Sequence, residues 1–246
     1  TKFYKNISLV NTNHQTAEMI KYANNSFLAT KISFINQLAN ICQNIPGADI
    51  DDIARTIGLD PRIGKLFLNA GPGYGGSCLP KDVKAIMNFS SKIGVSPLLL
   101  SAVEKTNQQQ IEQIIKLIEK HCGNLKGKNI SILGLAFKSK TDDIRDSISL
   151  KIIEKLLKKQ AKVIVHDPMA IENVRKIFKN KIRYTNSISN ALKDSYCGVI
   201  MTAWPEYSKI TNINMKNMKK RIIIDSQRIL KNPKLDCVYN AIGIGN

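Results

Sequence analysis

Between residues 16 and 45 the apolar positions Ile20, Phe27, Phe34, Leu38, Ile41 and Ile45 recur at steps of three, four or seven, tracing one stripe of a long helix. Pro46-Gly47 stops it, because proline brings no amide and glycine accepts the turn that follows. A short helix is expected to start at residues 49–54, with acids in the first turn where the helix dipole favours negative charge, and a break follows at 58–61. Residues 69–80 read as a glycine-rich loop, and helical patterns return at 80–93 and 96–119. Beyond Gly123 the period changes. Short apolar runs at 129–133, 162–165, 198–202 and 221–224 alternate with helix-like segments, of which 147–159 is amphipathic. Repeated in this way, strand and helix predict a parallel sheet with crossover helices. The fold class is therefore α/β: an all-α first part with a long helix, then a Rossmann-like parallel-sheet domain, with the boundary near residues 120–128.

Composition narrows the partners. A net charge of +18 attracts phosphate. The lysines are scattered, however, and no basic arm, aromatic stacking platform, finger or RNA-binding signature accompanies them. The charge suits a small phosphate ligand or a solvated surface better than nucleic acid. No stretch approaches the roughly 18 to 20 apolar residues of a membrane span, so no membrane partner is expected. The five cysteines, Cys42, Cys78, Cys122, Cys197 and Cys237, are odd in number and never in CxxC spacing, and the only histidines are His14, His121 and His166. Neither a disulfide framework nor a metal site is expected; reduced thiols of a cytoplasmic protein are.

The most informative stretch is Gly73-Tyr74-Gly75-Gly76-Ser77-Cys78-Leu79-Pro80-Lys81-Asp82. Pro80 suits the first turn of a helix, so a helix is predicted to begin beside Cys78. Free amides, the positive dipole end and Lys81 would favour a thiolate there. The glycines let backbone approach a ligand closely. A buried cysteine beside a tight turn is the plain alternative; glycines before, proline after and Asp82 beyond argue against it.

This stretch resembles the active-site signature of the UDP-glucose/GDP-mannose dehydrogenase family. The likeness extends through residues 60–64 and 67–71, upstream through 18–25, and downstream through 134–138 and 141–145, in the family's order. The resemblance implies oxidation of a nucleotide sugar's primary alcohol to a carboxylate, with two hydrides passed to NAD. It makes Cys78 the nucleophile that captures the aldehyde, giving a thiohemiacetal and then a thioester. Lys21 and Asn25, at i and i+4 on one helix face, would stabilise charge on oxygen, and Asp82 would help activate water. Phe67, Leu68, Asn69, Ala70 and Gly71 match the loop that holds the UDP-sugar, with Gly75 another close-approach position. Arg62 would reach the neighbouring subunit's sugar nucleotide, Lys138 would contact substrate, and Lys81 and Arg145 would contact NAD. On this reading residues 1–124 are the central helical domain, dimerising and bearing the cysteine, and 125–246 are the UDP-sugar-binding domain. The segments at 60–64 and 71–74 look more like the UDP-glucose group than the GDP-mannose group, making UDP-glucose the expected substrate.

Some features depart from the pattern. No GxGxxG is present, and the chain opens on Thr1, as if at the last strand before the long helix. The expectation is a fragment without the NAD-binding domain, inactive alone. Asp225-Ser226-Gln227-Arg228 stands where the family usually has Asp-Gly-Arg-Asn, which displaces the late arginine. A non-catalytic nucleotide-sugar-binding or dimerisation module and a thiol hydrolase using Cys78 remain as other readings.

Overall fold

The computed structural model describes residues 9–231 and 234–245, so the strand expected at the very start of the chain lies outside the described residues. Four helices come first: α1 (His14–Cys42), α2 (Ile50–Ile57), α3 (Leu79–Lys92) and α4 (Leu98–Cys122). Asn13 caps α1 by accepting from the Thr16 amide, and Asp49 caps α2 by accepting from the Asp51 amide. Pro80 lies in the first turn of α3, with Cys78 at the N-cap position.

The apolar stripe on α1 does not face the core. Ile20, Phe27, Phe34, Ile41 and Ile45 are all at least half exposed, and Leu38 alone of that set packs against the core. The buried face is mostly small or polar, with Ser26, Ala29, Ser33, Asn36 and Ala39, and Ile35 is the large apolar side chain among them. Small side chains let the helices approach closely enough for Ser33 Oγ to donate to the Val103 carbonyl on α4 at 3.0 Å.

The second part is a six-stranded, all-parallel sheet: β1 (Asn129–Leu133), β2 (Lys162–His166), β3 (Arg183–Tyr184), β4 (Cys197–Ile200), β5 (Ile222–Asp225) and β6 (Val238–Ala241). Helices α5 (Ile148–Lys158), α6 (Ile171–Phe178) and α7 (Ile188–Leu192) lie between strands, with a one-turn α8 (Asn212–Met215) before β5. The order β3-β2-β1-β4-β5-β6 reverses direction between β1 and β4, the place where open α/β sheets open a ligand crevice. Two strands, β3 and β6, have no counterpart among the expected apolar runs.

The two parts share a core. Ile114 and Ile118 of α4 are buried in one cluster with Ile130 of β1 and Ile152 of α5, and Lys155–Glu112 and Lys159–Glu119 ion pairs edge that seam. Near β5, Arg228 crosses to the helical part and is only 8% exposed. It pairs with Asp49 at 2.5 Å and Asp51 at 2.9 Å and donates to the Ile242 carbonyl at 2.8 Å.

Candidate active site

Helices α1 and α3 meet at Asp82. Its carboxylate, 1% exposed, accepts from Lys21 Nζ at 2.8 Å and from Asn25 Nδ2 at 2.6 Å, both on Oδ2. Lys81 stands 3.4 Å from the other oxygen. Burial alone would raise the Asp82 carboxyl, but the bonds from Lys21, Asn25 and Lys81 outweigh it and hold it below the usual range. Lys21 is correspondingly raised, chiefly by its bond to Asp82, with a smaller contribution from nearby Cys78.

Cys78 is the one cysteine of the five that is exposed, with Ser77 Oγ 3.7 Å from its sulfur. Arg145 clasps Asp143 and is raised chiefly by that bond and slightly by the nearby Cys78. Lys21, Asn25, Asp82 and Cys78 are thus brought together as expected, with the exposed cations Lys81 and Arg145 nearby.

A cleft of about 650 Å³ lies between the helical part and the sheet. Phe67, Asn69, Ala70 and Gly71 line one wall, and Phe137 and Gln227 contribute from the sheet side. Leu68, expected in this loop, is 3% exposed and turned into the core instead. Gly75 stands beyond the cleft, where a Cβ would run into the Asp146 carbonyl. Lys138 does not line the cleft; its amine sits 5.4 Å over the Phe137 ring at the margin. Arg62 also stays outside, its side chain 87% exposed and held by Asp60.

Asp167 braces the sheet side. Buried at the end of β2, it accepts from the amides of Leu135 and Ala136 and from Trp204 Nε1, fixing the turn that presents Phe137. Arg228 and Lys231 also line the cleft, both engaged by Asp51. Among the described residues no cluster of His, Cys, Asp and Glu is set to hold a metal, and no helix is long and apolar enough to cross a membrane.

Sequence profiles now bear on this geometry. The profile of the UDP-glucose/GDP-mannose dehydrogenase family, central domain, matches residues 15–109, and that of the family's UDP binding domain matches 131–232. The chain belongs to this family. Similar proteins include the UDP-glucose 6-dehydrogenase TuaD of Bacillus subtilis, 40% identical, with 96% of this chain and 52% of that protein covered. The UDP-glucose 6-dehydrogenase of Rickettsia conorii is 42% identical, with 96% and 56% covered. A solved UDP-glucose dehydrogenase from Pyrobaculum islandicum superimposes with a TM-score of 0.86 at 34% identity, over 93% of this chain and 51% of that one. The chain therefore spans about half the length of the relatives it matches.

The sequence reading missed Asn36, Asn107 and Gln110, which hold the cleft loop from behind. A signal existed. Asn25 and Asn36 are eleven residues apart, three helical turns, so they share a face with Lys21; Asn107 and Gln110 are similarly paired at i and i+3. Gln227, Arg228 and the turn at Ala203 were not legible as lining, because only the sheet order brings them beside residues 66–73.

Proposed function

We propose that this chain supplies the cysteine-bearing and UDP-sugar-holding parts of an NAD-dependent UDP-glucose 6-dehydrogenase, which oxidises UDP-glucose to UDP-glucuronate. The observation that carries the reading is the meeting of Lys21 and Asn25 with Asp82 on α3, the helix that Cys78 opens a few residues beyond the loop lining the cleft. The names of the relatives support the choice of sugar nucleotide. Residues 1–124 serve as the dimerising, cysteine-bearing part and 125–246 as the UDP-sugar-binding part.

Lys81 and Arg145 are exposed cations on the Cys78 side, and their charge suits the phosphates of a dinucleotide. NAD, when bound, supplies the acceptor for the two hydrides. The chain's own residues do the rest. Lys21 and Asn25 donate toward the oxygen of the reacting carbon; a preorganised donor of this kind is worth about 3 kcal/mol as charge develops. Cys78 Sγ adds to the aldehyde carbon, forming a C–S bond and an oxyanion that these two donors hold. Once that adduct is oxidised to a thioester, Asp82 takes a proton from the attacking water. The C–S bond breaks and the sulfur leaves as thiolate; the acid formed gives water's second proton to that thiolate, restoring the thiol, and the product leaves as a carboxylate. The bonds to Asp82 keep it ionised and so free of a proton at neutral pH, although they also make it a weaker base than an unpaired carboxylate.

Titration calorimetry of the 246-residue chain tests the substrate. UDP-glucose is expected to bind saturably and GDP-mannose at least about tenfold more weakly, a difference of about 1.4 kcal/mol. The reverse order would overturn the choice of sugar nucleotide.

The exposed stripe on α1 supports a homodimer, since a face this apolar is rarely left to water. Sedimentation is expected to find a dimer, and Phe34→Glu, which puts a charge in the middle of the stripe, is expected to give monomers. An unchanged dimer in that variant would move the interface elsewhere.

A further inference from the structure

Residues 71–73 run along the cleft wall and lead to the buried Tyr74, all outside any strand pairing, yet the backbone groups of Gly71 and Tyr74 are satisfied in a regular way. The Gly71 amide donates to Asn36 Oδ1 at 2.8 Å, and its carbonyl accepts from Gln110 Nε2 at 2.9 Å. The Tyr74 amide donates to Asn107 Oδ1 at 2.8 Å, and its carbonyl accepts from Asn107 Nδ2 at 3.0 Å. At both residues, side-chain amides on α1 and α4 make the pair of bonds that an adjacent antiparallel strand makes at its closely paired positions.

The three amides are almost wholly buried, none more than 6% exposed. Asn40 Nδ2 donates to Gln110 Oε1 at 2.7 Å, which fixes the end of that amide that faces Gly71. Between the two clamped residues, Gly73 takes φ +109°, and a Cβ there would stand 2.6 Å from Asn107 Oδ1, so the loop lies directly on the amide. Asn36 itself lines the cleft, and its Nδ2 is buried with no hydrogen-bond partner among the described residues. A core asparagine kept only for stability would not be left half-satisfied, because an unpaired buried donor is costly. Its Oδ1 bond to Gly71 is the benefit that explains its presence.

We propose that Asn36, Gln110 and Asn107 are positioning residues, acting through Gly71 and Tyr74 to hold the loop in the form that a UDP-sugar recognises. This rests on the proposed function, since it deepens the account of the same cleft. α1 carries Lys21, Asn25 and Asn36 together, so one helix sets both the reacting end and the clamped loop.

Calorimetry of the 246-residue chain with UDP-glucose, beside thermal melts, tests it. Asn36→Ala and Gln110→Ala are each expected to weaken binding about tenfold, the scale of one lost buried bond. The double variant is expected to bind no more than about twofold worse than the weaker single, because both amides act on one residue. Residues contributing only general stability would instead lower the melting temperature while leaving affinity within about twofold of wild type, a result that overturns the proposal. Independent, multiplying losses in the double variant would overturn it as well. Should either alanine unfold the chain, Asn107→Ala, which frees Tyr74, carries the same expected loss. A wild-type chain that does not bind UDP-glucose would fail the parent reading at the first titration, before any variant is compared.

Discussion

Iodoacetamide is expected to label Cys78 before any other thiol of the folded chain, and UDP-glucose at ten times its Kd is expected to slow that labelling about tenfold. The selectivity follows from burial. Cys42 and Cys122 are 3% exposed and Cys197 is fully buried, while Cys237 is partly covered and Cys78 stands open at the start of α3. Protection follows from the proposed reaction, since a substrate whose carbon is attacked by Sγ must lie against it. Peptide mapping by mass spectrometry at timed intervals reads both effects. Labelling that ignores UDP-glucose, in a chain that binds it by calorimetry, would separate Cys78 from the substrate and remove its role as nucleophile.

Asp82→Asn is expected to lower stability by about 2 kcal/mol at neutral pH, the scale of lost charge-assisted hydrogen bonds at a buried carboxylate. Lys21 is more than half exposed, so it regains water in the variant, and this keeps the loss from being larger. The pH dependence has a definite sign. The folded carboxyl titrates below its unfolded value of about 3.9, so its stabilisation is complete above that value. It is lost as pH falls through the lower, folded value. Urea unfolding of both chains across an acid series is therefore expected to show a gap that is constant near neutrality and closes at the acid end. A gap that persists unchanged into strong acid would mean that ionisation of Asp82 contributes nothing to holding α1 against α3.

How much of this was legible beforehand depended on where the deciding contacts lie along the chain. The start of α3 could be read because Pro80 and Asp82 act locally, within one turn of Cys78. Four of the six strands showed as apolar runs because a central parallel strand is buried on both faces. β3 escaped because it has only two residues, and β6 because Val-Tyr-Asn-Ala at the sheet's edge is half polar. The stripe on α1 was visible as a period, but a period alone does not tell a core face from an exposed one. The bond pairing of Asn36 with Gly71, 35 residues on, was invisible for a different reason: an asparagine in a helix usually reads as a solvent contact. Arg228 could be seen as displaced, but its partners Asp49 and Asp51 lie 179 and 177 positions earlier.

α1 runs unbroken for 29 residues, with neither proline nor glycine inside it. A rod of that kind works as a gauge. At 1.5 Å per residue it keeps the Lys21 amine and the Asn36 amide roughly 22 Å apart along its axis. One residue added between them would lengthen that span only slightly, yet would swing one group about 100° around the axis relative to the other. The number of residues in this segment therefore cannot change without dismantling the alignment of the two ends.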